Sequence, residues 1–151
     1  MTPPRRCWRS GSAVVELAFS MPVLVGLFLG TLQFGYSFYI DDELEQAVRA
    51  GARYASLRSY ASSSATPNAS YTDAVRNVVV YADPAGGTQP VAPGLTTAHV
   101  IITMTMQNGA PAAVTVAIDG YSLPMVISSI VLTNKPSTRF PYLGVFSPPA
   151  S

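Results

Sequence analysis

The chain is poor in the residues that do chemistry. Cys7 is its one cysteine, so no internal disulfide and no cysteine metal site can form. His99 is its one histidine. A catalytic or metal-binding histidine needs partners, and none is apparent, so His99 reads as a strand residue. Charged residues make up only 11% of the chain, and the formal net charge is +1. That near-neutral balance, without a basic stripe, gives no support to nucleic-acid binding. There is no paired-carboxylate set, no glycine-rich phosphate loop and no serine–histidine–acid set. Asp83-Pro84 and Asp119-Gly120 read as turn acids. No acidic run resembles a calcium loop. The expectation is a protein with no enzyme activity of its own and no cofactor.

One long hydrophobic run is present. Leu17 to Ile40 holds 24 residues without a charge, about 36 Å of helix against a hydrocarbon core of roughly 30 Å. Arg5, Arg6 and Arg9 precede it with no acid among them, whereas six bases and seven acids follow Ile40. This bias predicts a cytoplasmic N-terminus and an external C-terminal part. A cleaved secretory signal has a shorter apolar core and a small-x-small site. The run instead ends in Phe34-Gly35-Tyr36-Ser37-Phe38-Tyr39-Ile40-Asp41-Asp42-Glu43, which reads as a retained anchor. Trp8 at one end and Tyr36, Phe38 and Tyr39 at the other suit the two membrane interfaces, with contact to lipid between them. Arg5-Arg6 also raises a twin-arginine export signal, but the run begins differently. Pro22 predicts a bend. Gly26 and Gly30 have the small-xxx-small spacing that lets helices approach closely.

Beyond the run, residues 41–60 continue the helix. Leu44, Ala47, Val48, Gly51, Ala52 and Ala55 recur at spacings of three and four and form a thin apolar stripe. Such a stripe suits close packing on a sheet or on neighbouring copies. Glu45 and Arg49 are an acid-then-base pair at i, i+4. Residues 61–70 read as a loop, and Asn68-Ala69-Ser70 matches a glycosylation acceptor. A second helix is expected over 72–82, with Thr72 as its cap and Ala74, Val75, Val78, Val79 and Ala82 facing inward. Its valines leave a strand open over 77–81. Residues 83–95 form a Pro- and Gly-rich loop. Strands are expected near 98–107, 113–121 and 130–142, the last broken near Asn134-Lys135-Pro136. Asn108-Gly109 marks a turn, with Ala110-Pro111 lengthening it. The end, from Ser147, is expected to fray. The fold class is α+β: a long N-terminal transmembrane helix continuing into a small external domain with a second helix and a three-stranded antiparallel sheet. The division is a basic leader over 1–11, a membrane helix over 12–40 and an external domain over 41–151.

Glu16 needs an explanation, because a carboxylate inside a membrane helix is costly. Two readings of its charge stand. It lies two turns past Arg9 and reaches the headgroups, or it meets a specific partner. The order Gly11-Ser12-Ala13-Val14-Val15-Glu16, after a basic tip and before an uncharged helix, resembles the type IV prepilin processing motif. In that motif a prepilin peptidase cuts after the glycine, and the glutamate becomes the fifth residue of the mature chain. The resemblance implies a processing site at Gly11 and Ser12. It also implies that Glu16 pairs with the new amine of a neighbouring subunit. Pro22 falls where many such pilins carry a helix-bending proline.

The resemblance narrows with Glu16-Leu17-Ala18-Phe19, Met21-Pro22-Val23-Leu24, Gln33-Phe34-Gly35 and Ala47-Val48-Arg49-Ala50-Gly51-Ala52-Arg53-Tyr54-Ala55. In that order these elements are similar to the TadE-like proteins, pseudopilins of bacterial tight-adherence (Flp-type) pilus systems. Leu17 departs from the aromatic often carried there. The similarity covers about Arg9 to Leu57; beyond it, only the helix-then-strands layout and Thr138-Arg139-Phe140 agree. The family implies residence in the inner membrane with a periplasmic domain, possible association with the pilus, and a role in assembly. Its implied partners are the prepilin peptidase, other pilins or pseudopilins and the assembly platform. The alternative is an unprocessed, single-pass anchor carrying an external binding or scaffold domain.

Overall fold

A computed structural model describes residues 10–123 and 129–147. The arginine tip over 1–9, the stretch 124–128 and the end over 148–151 lie outside the described residues, so the expected fraying of the end does too. The chain divides into two compact units, 1–36 and 37–151. Helix α1, Ser10–Leu57, supplies the first unit and the opening of the second. The fold class is α+β, as the sequence implies.

In the first unit the large apolar side chains are exposed, Phe19 at 79% and Phe28 at 65% among them. No helix partner covers them within the unit, and this segment is long and apolar enough to cross a membrane. The run has its own hydroxyl back-bonds: Ser20 Oγ donates to the Glu16 carbonyl at 2.8 Å and Thr31 Oγ1 to Leu27 at 2.9 Å. Such bonds satisfy the hydroxyls where no water is available.

The second unit is built on the small-residue stripe. Ile40, Leu44, Val48, Ala52 and Ala55 are buried along one side of α1. Helix α2, Ala69–Tyr81, buries Tyr71, Ala74, Val75, Val78, Val79 and Val80, and Tyr71, Val75, Val79 and Val80 join the same core. Valine is a poor helix former, but buried packing decides here, and 77–81 is helix rather than strand.

The cap of α2 differs from expectation. The helix starts three residues before Thr72, and Asn68 is its N-cap, its Oδ1 accepting from the Tyr71 amide at 2.8 Å. Thr72 instead lies in the first turn, its hydroxyl donating to the Asn68 carbonyl. The glycosylation-like Asn68 is therefore engaged as a cap. Asn68→Ala should lower the stability of this unit by about 1 kcal/mol, read as a shifted urea midpoint with unchanged slope. An unchanged midpoint would remove the capping role. Helix α1 likewise ends at Leu57, not at residue 60, because Tyr60 has left the helix for a bridge to Phe146.

Strands β1, Val100–Gln107, β2, Ala110–Ile118, and β5, Ser137–Pro141, form an antiparallel sheet in the order β1-β2-β5. His99 closes a short 3-10 turn immediately before β1 rather than sitting in the strand. Asn108 and Gly109 both take positive φ, 52° and 78°, so the hairpin needs only two loop residues and Ala110-Pro111 joins β2. The extra residue is absorbed as a bulge at Ala112, where pairing passes from Thr105–Ala113 to Met106–Pro111. The register stacks like with like. Ile102 faces Val116, Met104 faces Val114 and Phe140 faces Val114 on the core side, while Thr103 meets Thr115 on the other.

The second expected strand, near 113–121, stops at Ile118, and Tyr121 begins β3 after the Asp119-Gly120 turn. The expected third strand, 130–142, is two strands in different sheets. β4, Ile130–Leu132, pairs with β3, Tyr121–Leu123, and only β5 joins β2. Asn134, at φ 51°, turns the chain between them, and its amide donates to Asp119 Oδ1 at 3.0 Å.

Candidate functional site

The candidate positions Gly11, Ser12, Glu16, Pro22, Gly26 and Gly30 all lie on α1 in the first unit. They are not gathered into a pocket. They are strung along one helix, as suits a packing surface rather than a reaction centre. Pro22, Gly26 and Gly30 recur at i, i+4 and i+8 and share a face, with Glu16 within the same ~120° sector at 3.6 residues per turn. A Cβ added to Gly11, Gly26 or Gly30 would meet nothing within 4 Å. The two glycines thus open a shallow strip onto which another helix could close. Helix α1 runs through Pro22, whose ring nitrogen has no hydrogen for the Ala18 carbonyl.

Glu16 is exposed, and its backbone carbonyl, not its carboxylate, accepts the Ser20 hydroxyl. Among the described residues nothing forms a hydrogen bond or ion pair with that carboxylate. The exposed carboxylate is thus open to water, to lipid headgroups or to a cation on another subunit.

Other polar residues have structural tasks. His99 Nδ1 lies 3.1 Å from both the amide and the hydroxyl of Thr96, and its ring stands edge-on to Tyr121. This is a capping arrangement at the entrance to β1. A shallow depression of about 260 Å³ is lined by Glu45, Arg49, Lys135 and Thr138, and two of its charges already pair, Arg49 with Glu45 at 2.7 Å. Among the described residues no cluster of His, Cys, Asp or Glu could hold a metal ion.

The sequence reading missed a tyrosine cluster at the end of α1. The Tyr60 ring stands edge-on to Tyr71 at 5.4 Å and to Tyr142 at 6.2 Å, and stacks on Phe146 at 6.4 Å. Tyr71 donates its hydroxyl to the Ala55 carbonyl, and Tyr142 donates to Arg58. Burial pushes all three phenols above their usual pKa. Main-chain bonds then strap residues 143–147 to the helix end: Leu143 N to Ser56 O, Tyr60 N to Val145 O and Ser147 N to Tyr60 O. The available signal was the aromatic content of the last strands, but nothing local said what those rings would meet.

The family described as TadE-like protein matches residues 11–53, from Gly11 through the small-residue stripe. No curated protein and no solved structure matches the chain.

Proposed function

We propose that the protein is a pseudopilin of a tight-adherence pilus system, cut after Gly11 by a prepilin peptidase and used as an assembly subunit. The observation that carries this reading is the TadE-like match over residues 11–53, which begins at the glycine of the processing motif. Three features support it. Between Leu17 and Tyr36 α1 carries no charge and its large apolar side chains are exposed, which suits a helix held in a bilayer and later packed among other helices. Glu16 stands five residues past Gly11 with its carboxylate unmet by any described residue. Among the described polar residues outside this segment, Asn68 caps α2, Asp119 receives the Asn134 amide at a turn, and Tyr71 and Tyr142 tie down the end of α1.

In this reading the subunit sits in the inner membrane with its N-terminus in the cytoplasm and its second unit in the periplasm. Cleavage discards the arginine tip and leaves an amine on Ser12. Glu16 of one subunit takes that amine from its neighbour, and Gly26 and Gly30 let the helices close. A buried carboxylate without its partner is strongly penalised, so the pair sets the axial position of the incoming subunit.

The test is the mature N-terminus of the chain expressed with and without an active prepilin peptidase. The expected result is Ser12 with the peptidase and the full leader without it. A leader retained in the presence of active peptidase would overturn the processing step.

A further inference from the structure

The second unit reaches the end of the apolar run without a linker. Ile40 is the last residue of that run, yet it is 1% exposed and belongs to the core of the second unit. Two contacts place the strands along this part of α1. Leu143 N bonds Ser56 O, whereas Ser137 and Thr138 line the depression beside Glu45 and Arg49. β5 therefore advances in the direction of α1, with its start toward Ile40. β2 runs antiparallel to β5 and ends there, and β1 begins there. β3 follows the end of β2, and β4 precedes the start of β5, so this small sheet is attached at the Ile40 end. That end carries exposed apolar side chains. Ile130 and Val131 of β4 are 50% and 58% exposed, and Ile101, near the start of β1, is exposed too. On α1 the exposed Phe38 and Tyr39 come just before Ile40. Lys135 stands in the turn between β4 and β5, and among the described residues nothing pairs with its ammonium.

We propose that the Ile40 end of the second unit is a lipid-contacting surface. Ile130 and Val131 sit at the boundary between headgroups and acyl chains, and Lys135 reaches the phosphates. The proposal rests on the reading of α1 as a membrane span, because that span brings this end to a bilayer. The distances suit it. From Ile40 to Glu45, beside the start of β5, the helix rises about 7–8 Å, and a headgroup layer is about 5–8 Å deep. The occupant is lipid because the apolar run ends in this unit's own core, so whatever surrounds the run also meets this end. Apolar burial drives the contact, not net charge. Asp41, Asp42, Glu43 and Glu45 stand at the same level and offset the cations, so a zwitterionic lipid surface suffices. The contact has a consequence for the anchor. A lone span is free to turn about its axis, whereas β3 and β4 resting on the lipid from one side fix its rotation. A subunit leaving the membrane has to lift them out first.

The experiment uses the full chain in phosphatidylcholine vesicles, in a Cys7→Ser background, with a nitroxide on one introduced cysteine at a time. Ile130→Cys and Val131→Cys report the proposed surface. Leu143→Cys is the control, an apolar residue 72% exposed at the Ser56 end. Phe28→Cys reports the span. Saturation by oxygen, which concentrates in lipid, is compared with saturation by a water-soluble nickel chelate. The oxygen-to-nickel ratio at positions 130 and 131 should exceed that at 143 by about fivefold or more. High salt, or phosphatidylglycerol as about a third of the lipid, should change it by less than about twofold. Labels at 130 and 131 that meet the chelate as freely as 143 overturn the proposal. So do labels shielded from both reagents, because protein rather than lipid then covers the surface. A ratio that rises only with phosphatidylglycerol overturns apolar burial as its cause. Position 28 separates the two readings. If it meets the chelate, the span fails and the contact with it. If it lies in lipid while 130 and 131 lie in water, the lipid-contacting surface fails alone.

Discussion

Glu16→Ala is expected to leave cleavage after Gly11 near its normal extent and to cut recovery of the subunit in pili by about two to three and a half powers of ten. The two effects separate because they depend on different parts of the same helix. In the proposed processing, cleavage needs Gly11 at the membrane surface with its basic tip. Assembly, in the proposed pairing, needs a negative charge one turn past Ser12 to receive the neighbour's amine. Removing one partner of a buried ion pair costs about 3–5 kcal/mol, because the other is left charged without compensation. At about 1.4 kcal/mol per tenfold, that gives the stated range.

Glu16→Gln decides between charge and shape. It keeps the volume and a hydrogen-bonding oxygen but loses the charge, and it should fail nearly as badly as alanine. The check is quantitative immunoblotting of sheared pili against the membrane fraction, with the mature N-terminus determined for each variant. Normal piliation by Glu16→Gln would sink the pairing role and return Glu16 to the lipid headgroups.

What could be read from the sequence was local. The 24-residue uncharged run, the Gly11–Glu16 spacing and the stripe from Leu44 to Ala55 each depend on short-range periodicity, and each lies on α1. The alternation in β1 and β2 was equally direct, because a sheet with one buried face writes itself as a period of two. The errors arose where distant contacts decide. Thr72 and Asn68 are both acceptable caps in isolation, and the burial of Tyr71 against Ala55 favours the earlier start. The split of 130–142 depends on Asp119 receiving the Asn134 amide fifteen residues away. The strap at 143–147 is made of main-chain bonds to Ser56 and Tyr60, and such bonds leave no trace in residue type. Gly51 was read as one more small residue, although its lack of a side chain has a consequence of its own.

Gly51→Leu is expected to destabilise the second unit by roughly 3 kcal/mol, at the upper end of the overpacking range. Propensity alone points the other way, since glycine in a helix interior costs about 1 kcal/mol relative to alanine and leucine is a good helix former. Packing wins because a Cβ on Gly51 would overlap Cγ2 of Val79, with the Val75 carbonyl at 3.8 Å behind it. Val79 is fully buried, and a β-branched side chain in a helix has essentially one rotamer, so it cannot swing aside. Helices α1 and α2 therefore approach closely only while residue 51 has no side chain. Gly51→Ala puts the opposing effects in direct competition: about 1 kcal/mol gained in propensity against 1–3 kcal/mol of overlap, a net loss. Val79→Ala by itself costs stability by opening a cavity, yet combined with Gly51→Ala it should recover much of the loss, because the new methyl occupies the space the valine gave up. The measurement is hydrogen exchange of the α2 amides in the full-length protein in detergent. There the leucine variant should lose protection by about two powers of ten. Unchanged protection in Gly51→Leu, or alanine effects at 51 and 79 that merely add, would show that the two helices do not depend on this contact.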